Sequence, residues 1–184
     1  MNEPKELHMA KIYFASGQLE KSIEAFTSAE KTGCNIEEVC LSRGAAQMAL
    51  GRYKEAKEDF TRAIAQDKEN ERAYYFRGLA FFALGDYQNT IDDLTLSLIR
   101  NNNRGIAHLV RGVAYAELGQ DKYAALDLNS ATAFSSAEFK SFRKLFGDRP
   151  NPFQNTKALL AKENAPWNNL LTKDSARKLL LLLN

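Results

Sequence analysis

The chain has 184 residues, 45% of them hydrophobic, with 25 Lys and Arg against 23 Asp and Glu. That is enough apolar material for a continuous core, and the net charge of +2 marks no polyelectrolyte partner. Two cysteines are too few for a disulfide framework, and both Cys40, in a core column, and Cys34, in a loop, are expected to be free thiols. The N-terminus, Met-Asn-Glu-Pro-Lys-Glu, carries no uninterrupted apolar stretch of the kind a secretory signal or membrane span needs, so the expected location is the cytoplasm.

From the N-terminus onward, glycine recurs at Gly17, Gly51, Gly85 and Gly119, every 34 residues. Windows laid on this period give repeats at 3–36, 37–70, 71–104 and 105–138 without an insertion. Repeat position 8 reads Ala10, Gly44, Gly78, Gly112; position 20 reads Ser22, Ala56, Thr90, Ala124; position 27 reads Ala29, Ala63, Ser97, Ala131. Bulk falls between these small residues, with Phe26, Phe60, Leu94, Leu128 at position 24 and Tyr13, Gln47, Phe81, Tyr115 at position 11. Positions 4, 8 and 11 share one helical face, and positions 20, 24 and 27 another, so each repeat is a pair of helices turned at its glycine. Such a unit cannot bury its apolar face alone and must stack on its neighbours.

Two charged columns vary together. Position 7 is Arg43, Arg77, Arg111 and position 23 is Asp59, Asp93, Asp127, while in the first repeat both are lost, as Met9 and Ala25. A planar guanidinium grips a carboxylate bidentately, so these six residues are expected to form a structural ladder of ion pairs. No catalytic constellation accompanies them. The chain has only His8 and His108, the latter in a core column and expected to be packed and hydrogen-bonded; the paired Asp92 and Asp93 lie on an ordinary helix, and no phosphate-cradling glycine loop or metal-ligand spacing occurs.

These residues resemble the tetratricopeptide repeat (TPR) family, whose pattern has small residues at positions 8, 20 and 27 and aromatics at 11, 17 and 24. The resemblance covers about three quarters of the chain and departs at position 4 (Glu6, Cys40, Tyr74, His108) and position 32 (Cys34, Lys68, Asn102, Ser136). It implies an all-α fold, a right-handed α-solenoid of antiparallel helix pairs whose first helices line a concave groove. Ankyrin repeats have nearly the same period but need a β-turn and a Thr-Pro-Leu-His signature that this sequence lacks.

By the i, i+4, i+7 rule the groove face takes positions 5, 9 and 12. These are Leu7, Lys11, Phe14; Leu41, Ala45, Met48; Tyr75, Leu79, Phe82; and Leu109, Val113, Ala116. The expected partner-binding residues are Phe14, Leu41, Met48, Tyr75, Leu79, Phe82, Leu109 and Val113, and the groove is expected to be apolar. The family's clamp for a C-terminal carboxylate falls on Leu7, Lys11, Ser42, Arg72 and Phe76, of which only Lys11 and Arg72 carry suitable charge. Recognition of that kind is not expected.

Beyond the repeats, residues 139–147 resemble the first helix of a partial fifth repeat, ended by Gly147. Residues 148–184 then give a linker broken at Pro150 and Pro152, a short helix near Thr156 to Lys162, a turn around Pro166 and a last helix from about Lys173 to Leu183. The five consecutive leucines of Leu179–Leu183 suggest burial on several sides. This tail serves to cap the solenoid or fill its groove, to dock on another protein or a second copy, or to lie at a membrane interface; the sequence leaves the three open. Residues 1–138 carry 16 basic and 20 acidic side chains and residues 139–184 carry 9 and 3, but the basic ones are dispersed among Phe and Leu, as on a solvated face.

The expected function is a non-catalytic scaffold binding an apolar peptide or helix of another protein in the groove, with homo-oligomers through the C-terminal tail one possibility. A dedicated chaperone for a secretion or assembly client, and a self-assembling structural scaffold, would use the same features. Neither a cofactor, a metal nor nucleic acid is expected.

Overall fold

The computed structural model describes residues 4–131, 139–140, 153–162 and 169–183, and among them helices are joined by turns with no strand. The chain divides into two compact units, Met1–Leu84 and Gly85–Asn184. The first holds α1 (Lys5–Ala15), α2 (Leu19–Lys31), α3 (Ile36–Ala49), α4 (Tyr53–Gln66) and α5 (Glu71–Leu84). The second holds α6 (Tyr87–Arg100), α7 (Gly105–Glu117), α8 (Asp121–Ser130), α9 (Gln154–Leu160) and α10 (Lys173–Leu183). The partial helix expected over 139–147 lies outside the described residues except for Phe139 and Lys140, as do the linker before Phe153 and the turn at Pro166.

Helix ends follow from the 34-residue glycines. Gly17, Gly51 and Gly119 have φ of 75°, 74° and 70°, and the next residue's N–H reaches back to the helix: Gln18 to the Tyr13 carbonyl (2.9 Å), Arg52 to Gln47 (2.9 Å), Gln120 to Tyr115 (2.8 Å). This pattern satisfies carbonyls that a helix end leaves open. At the other ends, Asn35 caps α3 by accepting from the Glu38 N–H, and Asp86 caps α6 by accepting from the Asn89 N–H.

Within the first unit α1 packs on α2, α2 on α3, α3 on α4 and α4 on α5. Small residues make the close approaches. A Cβ on Gly44 would stand 2.6 Å from the Phe60 ring, so the ring of the second helix lies against the bare backbone of the first. Ser22, fully buried at the equivalent crossing of α1 and α2, donates to the Ala10 carbonyl at 3.1 Å. The core consists of small clusters between successive helices, one of Leu7, Ala10, Phe26, Ala29, Cys34 and Val39, another of Cys40, Ala63, Ile64, Ala73 and Tyr74. Cys34 belongs to that core although it follows a loop glycine, and burial beside Asp59 pushes the Cys40 thiol up to about 11, which keeps it protonated.

Arginine joins the helices a second way. Arg43 on α3 meets Asp59 on α4 side-on, Nε to Oδ2 at 2.8 Å and Nη2 to Oδ1 at 2.6 Å, while its Nη1 donates back to α2, to Thr27 Oγ1 at 3.2 Å and Glu30 Oε2 at 2.7 Å. Arg62 also pairs with Glu30. In the second unit Arg111 repeats the arrangement on Asp127 (2.6 and 2.8 Å) and Thr95 (2.9 Å). Arg77 donates to Thr61 Oγ1 at 3.2 Å within the first unit; Asp93 belongs to the second. His108 is buried, with Nδ1 3.0 Å from Asp127 Oδ1 and Nε2 3.2 Å from Asn102 Oδ1. Burial alone would raise the Asp127 carboxyl, but the hydrogen bonds from Arg111 and His108 outweigh it and hold it below the ordinary carboxylate range.

In the second unit α6 packs on α7, α7 on α8, α9 on α7, and α10 on both α8 and α9. The leucine run is buried on one side only, in contrast to the burial on several sides expected from its sequence: Leu179 and Leu183, one turn apart, face inward, while Leu181 is 74% exposed. A short helix laid over a flat partner offers cover to one face, and a run of like residues cannot tell which face that is. Among the described residues no helix is long and apolar enough to cross a membrane.

Two stability predictions follow from this packing. The Arg62 hydrogen bond, outweighing burial and assisted by Arg43, lowers the Glu30 carboxyl to about 2. A depressed carboxylate contributes stability above its unfolded pKa that is lost as pH falls toward the folded one, here from about 4.5 to about 2. Denaturant titrations should show Glu30→Gln less stable at neutral pH, by on the order of 1–2 kcal/mol given how exposed Arg62 is, and less sensitive to acid; parallel pH profiles would refute this. Gly44→Val should cost about 1–3 kcal/mol by forcing Phe60 out of its seat, measured by thermal or chemical unfolding.

Candidate binding cleft

One surface of the first unit is concave. A cleft of about 450 Å³ opens along α1, α3 and α5, with Phe14, Leu41, Ala45 and Phe76 among its apolar lining and Lys11, Glu37, Glu38, Asn70 and Arg72 among its polar lining. Its walls are the starts of α3 and α5 and the second half of α1. The helix starts are fixed by their caps: Asn35 accepts from the Glu38 N–H at 2.9 Å, and Asn70 accepts from the Ala73 N–H at 2.9 Å. Asn70 also donates its amide to Glu37, which ties the two helix starts together.

The apolar lining is rigid where it is aromatic. Phe76 stacks on the core residue Phe60 with ring centroids 5.6 Å apart and meets Tyr75 edge-on at 5.1 Å. Phe14 is 39% exposed, and Leu41 and Ala45 are half-buried, so these three present apolar surface to solvent. Charge in the cleft is balanced. Lys11 pairs with Glu38 at 2.5 Å, and Arg72 is exposed with neither a hydrogen bond nor an ion pair among the described residues. Among the described residues no group of three His, Cys, Asp or Glu side chains could hold a metal ion.

Of the eight residues expected to line a groove, Phe14 and Leu41 line this cleft. Tyr75 is half-buried and supports Phe76 from the side. The other five are core residues in this structure: Met48, Leu79, Phe82, Leu109 and Val113 are each 5% exposed or less. For Met48 and Phe82, both at position 12, the reason is a rotation. Each residue advances about 100° around a helix, so positions 2, 6 and 9 (Arg72; Ser42 and Phe76; Lys11 and Ala45) centre roughly 75° away from the face of positions 5 and 12. Position 12 therefore turns toward the core on α3 and α5, while on α1 Phe14 is left open. Apolar character could not distinguish these faces, because the first helices are apolar on both. Phe76, Ser42, Arg72 and Lys11 were legible as the inner face through their match to the clamp positions. The capping asparagines gave no such signal.

Comparison with known proteins bears on the fold. Residues 41–105 match the family model described as Tetratricopeptide repeat. No curated protein matches the chain at a significant level. Among solved structures, a crystal structure of MamA aligns with a TM-score of 0.70 and 18% identity over 100% of this chain and 94% of that one. A MamA RS-1 ArsTM double mutant aligns at 0.74 with 14% identity over 98% and 96%. YrrB, a TPR protein with an unusual peptide-binding site, aligns at 0.68 with 17% identity over 97% of this chain and 82% of that one. At these identities the likeness establishes the fold, an all-α TPR solenoid.

Proposed function

We propose that this chain, which has the fold of a tetratricopeptide repeat protein and matches that family's model over residues 41–105, is a non-catalytic scaffold that holds an extended or helical segment of another protein in the cleft of α1, α3 and α5. The observation that carries this reading is the cleft itself, in which solvent-facing Phe14, Leu41 and Ala45 lie beside a stacked Phe76. Aromatic and aliphatic side chains held in place before binding give contact area at little ordering cost. The hydrogen-bonded rim of Asn35, Asn70 and Glu37 fixes the walls, so a ligand meets a preformed surface. YrrB is a precedent in this fold for a peptide-binding site.

Such a cleft favours a segment with an apolar anchor residue and tolerates charge of either sign beside it, since Arg72 and Glu37 are both in the lining. Peptides selected on the native protein from a random display library test it. Phe14→Glu and Leu41→Glu, chosen because both side chains are accessible, should each weaken the selected peptides at least about tenfold, or about 1.4 kcal/mol, with circular dichroism unchanged. Undiminished binding to both variants would contradict the proposal. Phe82→Glu is no substitute for them, because that side chain is core and its loss reports on folding.

A further inference from the structure

On α7, Leu109, Val113 and Ala116 hold repeat positions 5, 9 and 12, the same positions that bring Leu41, Ala45, Lys11 and Phe14 to the cleft in the first unit. In the second unit all three are buried, and α9 packs on the same helix. Asn155 Nδ2 donates to Glu117 Oε2 at 2.8 Å. Glu117 stands one turn beyond Val113, which seats α9 toward the C-terminal end of that side of α7. The seated segment presents Phe153, Thr156, Leu159 and Leu160, all buried and spaced i, i+3, i+6, i+7, which is one face of a helix.

The seat is imperfect. α9 has seven residues and no side-chain N-cap. Its polar ties, Asn155 to Glu117 and Lys162 Nζ to Asp121 at 3.5 Å, are exposed to water, where such contacts contribute little. Two groups are worse off for being covered. Thr156 Oγ1 is buried without a hydrogen-bond partner, and burial pushes the Glu117 carboxyl up, only partly offset by Asn155. By contrast Asp127, on α8 of the same unit, is met by Arg111 and His108 together. A helix that covers an apolar face while leaving a hydroxyl unsatisfied fills the site without matching it fully.

We infer that this side of α7 is a helix-binding site, that α9 is its resident and displaceable occupant, and that a partner takes it with an amphipathic helix carrying apolar residues at the spacing of Phe153, Thr156, Leu159 and Leu160. This inference stands apart from the cleft of the first unit and survives its failure. A partner with an aliphatic residue in place of Thr156 would make the same contacts without stranding a hydroxyl.

The test uses the full chain and a fluorescent peptide of residues 153–162 as probe, read by anisotropy. With α9 seated, only the fraction of molecules with an empty site binds the probe, so the native protein binds weakly. The full-length Leu159→Asp, Leu160→Asp double variant should keep its helical circular dichroism and bind the probe at least about tenfold more tightly. Thr156→Val in the full chain should seat α9 more firmly, seen as slower hydrogen exchange in α7 and α9 and weaker probe binding. Loss of helical content in the double variant would make α9 an integral part of the fold and overturn the inference. Equal probe binding by native and double-variant protein, or unchanged exchange in Thr156→Val, would overturn it as well.

Discussion

A guanidinium placed where three helices meet holds the register of this array. Arg43 reaches forward to both oxygens of Asp59 and backward to Thr27 and Glu30, so one side chain joins α2, α3 and α4. Removing a charge from water is costly, and the arrangement is favourable only because nearly every donor of the fork is used. Arg111 repeats it with Asp127 and Thr95, and Arg77 repeats its backward half with Thr61. A hydrophobic contact between helices could slide by a turn, but a fork that must find a carboxylate on one side and a hydroxyl on the other cannot. With register fixed in this way, the first helices can leave part of an apolar face uncovered and still be held.

The ends of the array show the same constraint in reverse. In the first repeat Met9 and Ala25 stand at the two ladder positions, so α1 and α2 are joined without a fork. After Asp127, the position that held Thr27, Thr61 and Thr95 becomes Asn129, whose side chain accepts from the backbone of Thr172 at 3.5 Å. The last hydroxyl column thus passes from the repeats to the segment that leads into α10.

Much of this was legible in the sequence, for identifiable reasons. Glycine at a 34-residue interval fixes helix ends because few other residues accept a φ near 75°, and Gly44 is readable because only a missing Cβ admits the Phe60 ring. Columns that lose Arg and Asp together point to a contact, whereas the threonines carry no such signal, because a hydroxyl on the second helix has the pattern of ordinary surface and only the fold brings a guanidinium beside it. The cleft was half legible. Phe14 and Leu41 were found by apolarity, but Met48 and Phe82 share repeat position 12 with Phe14, have the same apolarity and the opposite fate, because hydrophobicity does not say which neighbouring helix covers a position. The leucine run misled for a related reason, since Leu181 and Leu183 are chemically alike and only the partner helix distinguishes them.

A double-mutant cycle on Arg43 and Asp59, with Arg43→Met and Asp59→Leu made singly and together and unfolding free energies measured by chemical denaturation, tests the central claim most directly. If the fork fixes the register, each single variant strands a buried charged partner, and the cycle returns a favourable coupling of at least about 2 kcal/mol, with the double variant more stable than the sum of the singles allows. A coupling within about 0.5 kcal/mol of zero would contradict the account and leave the apolar packing alone to hold the helices in register.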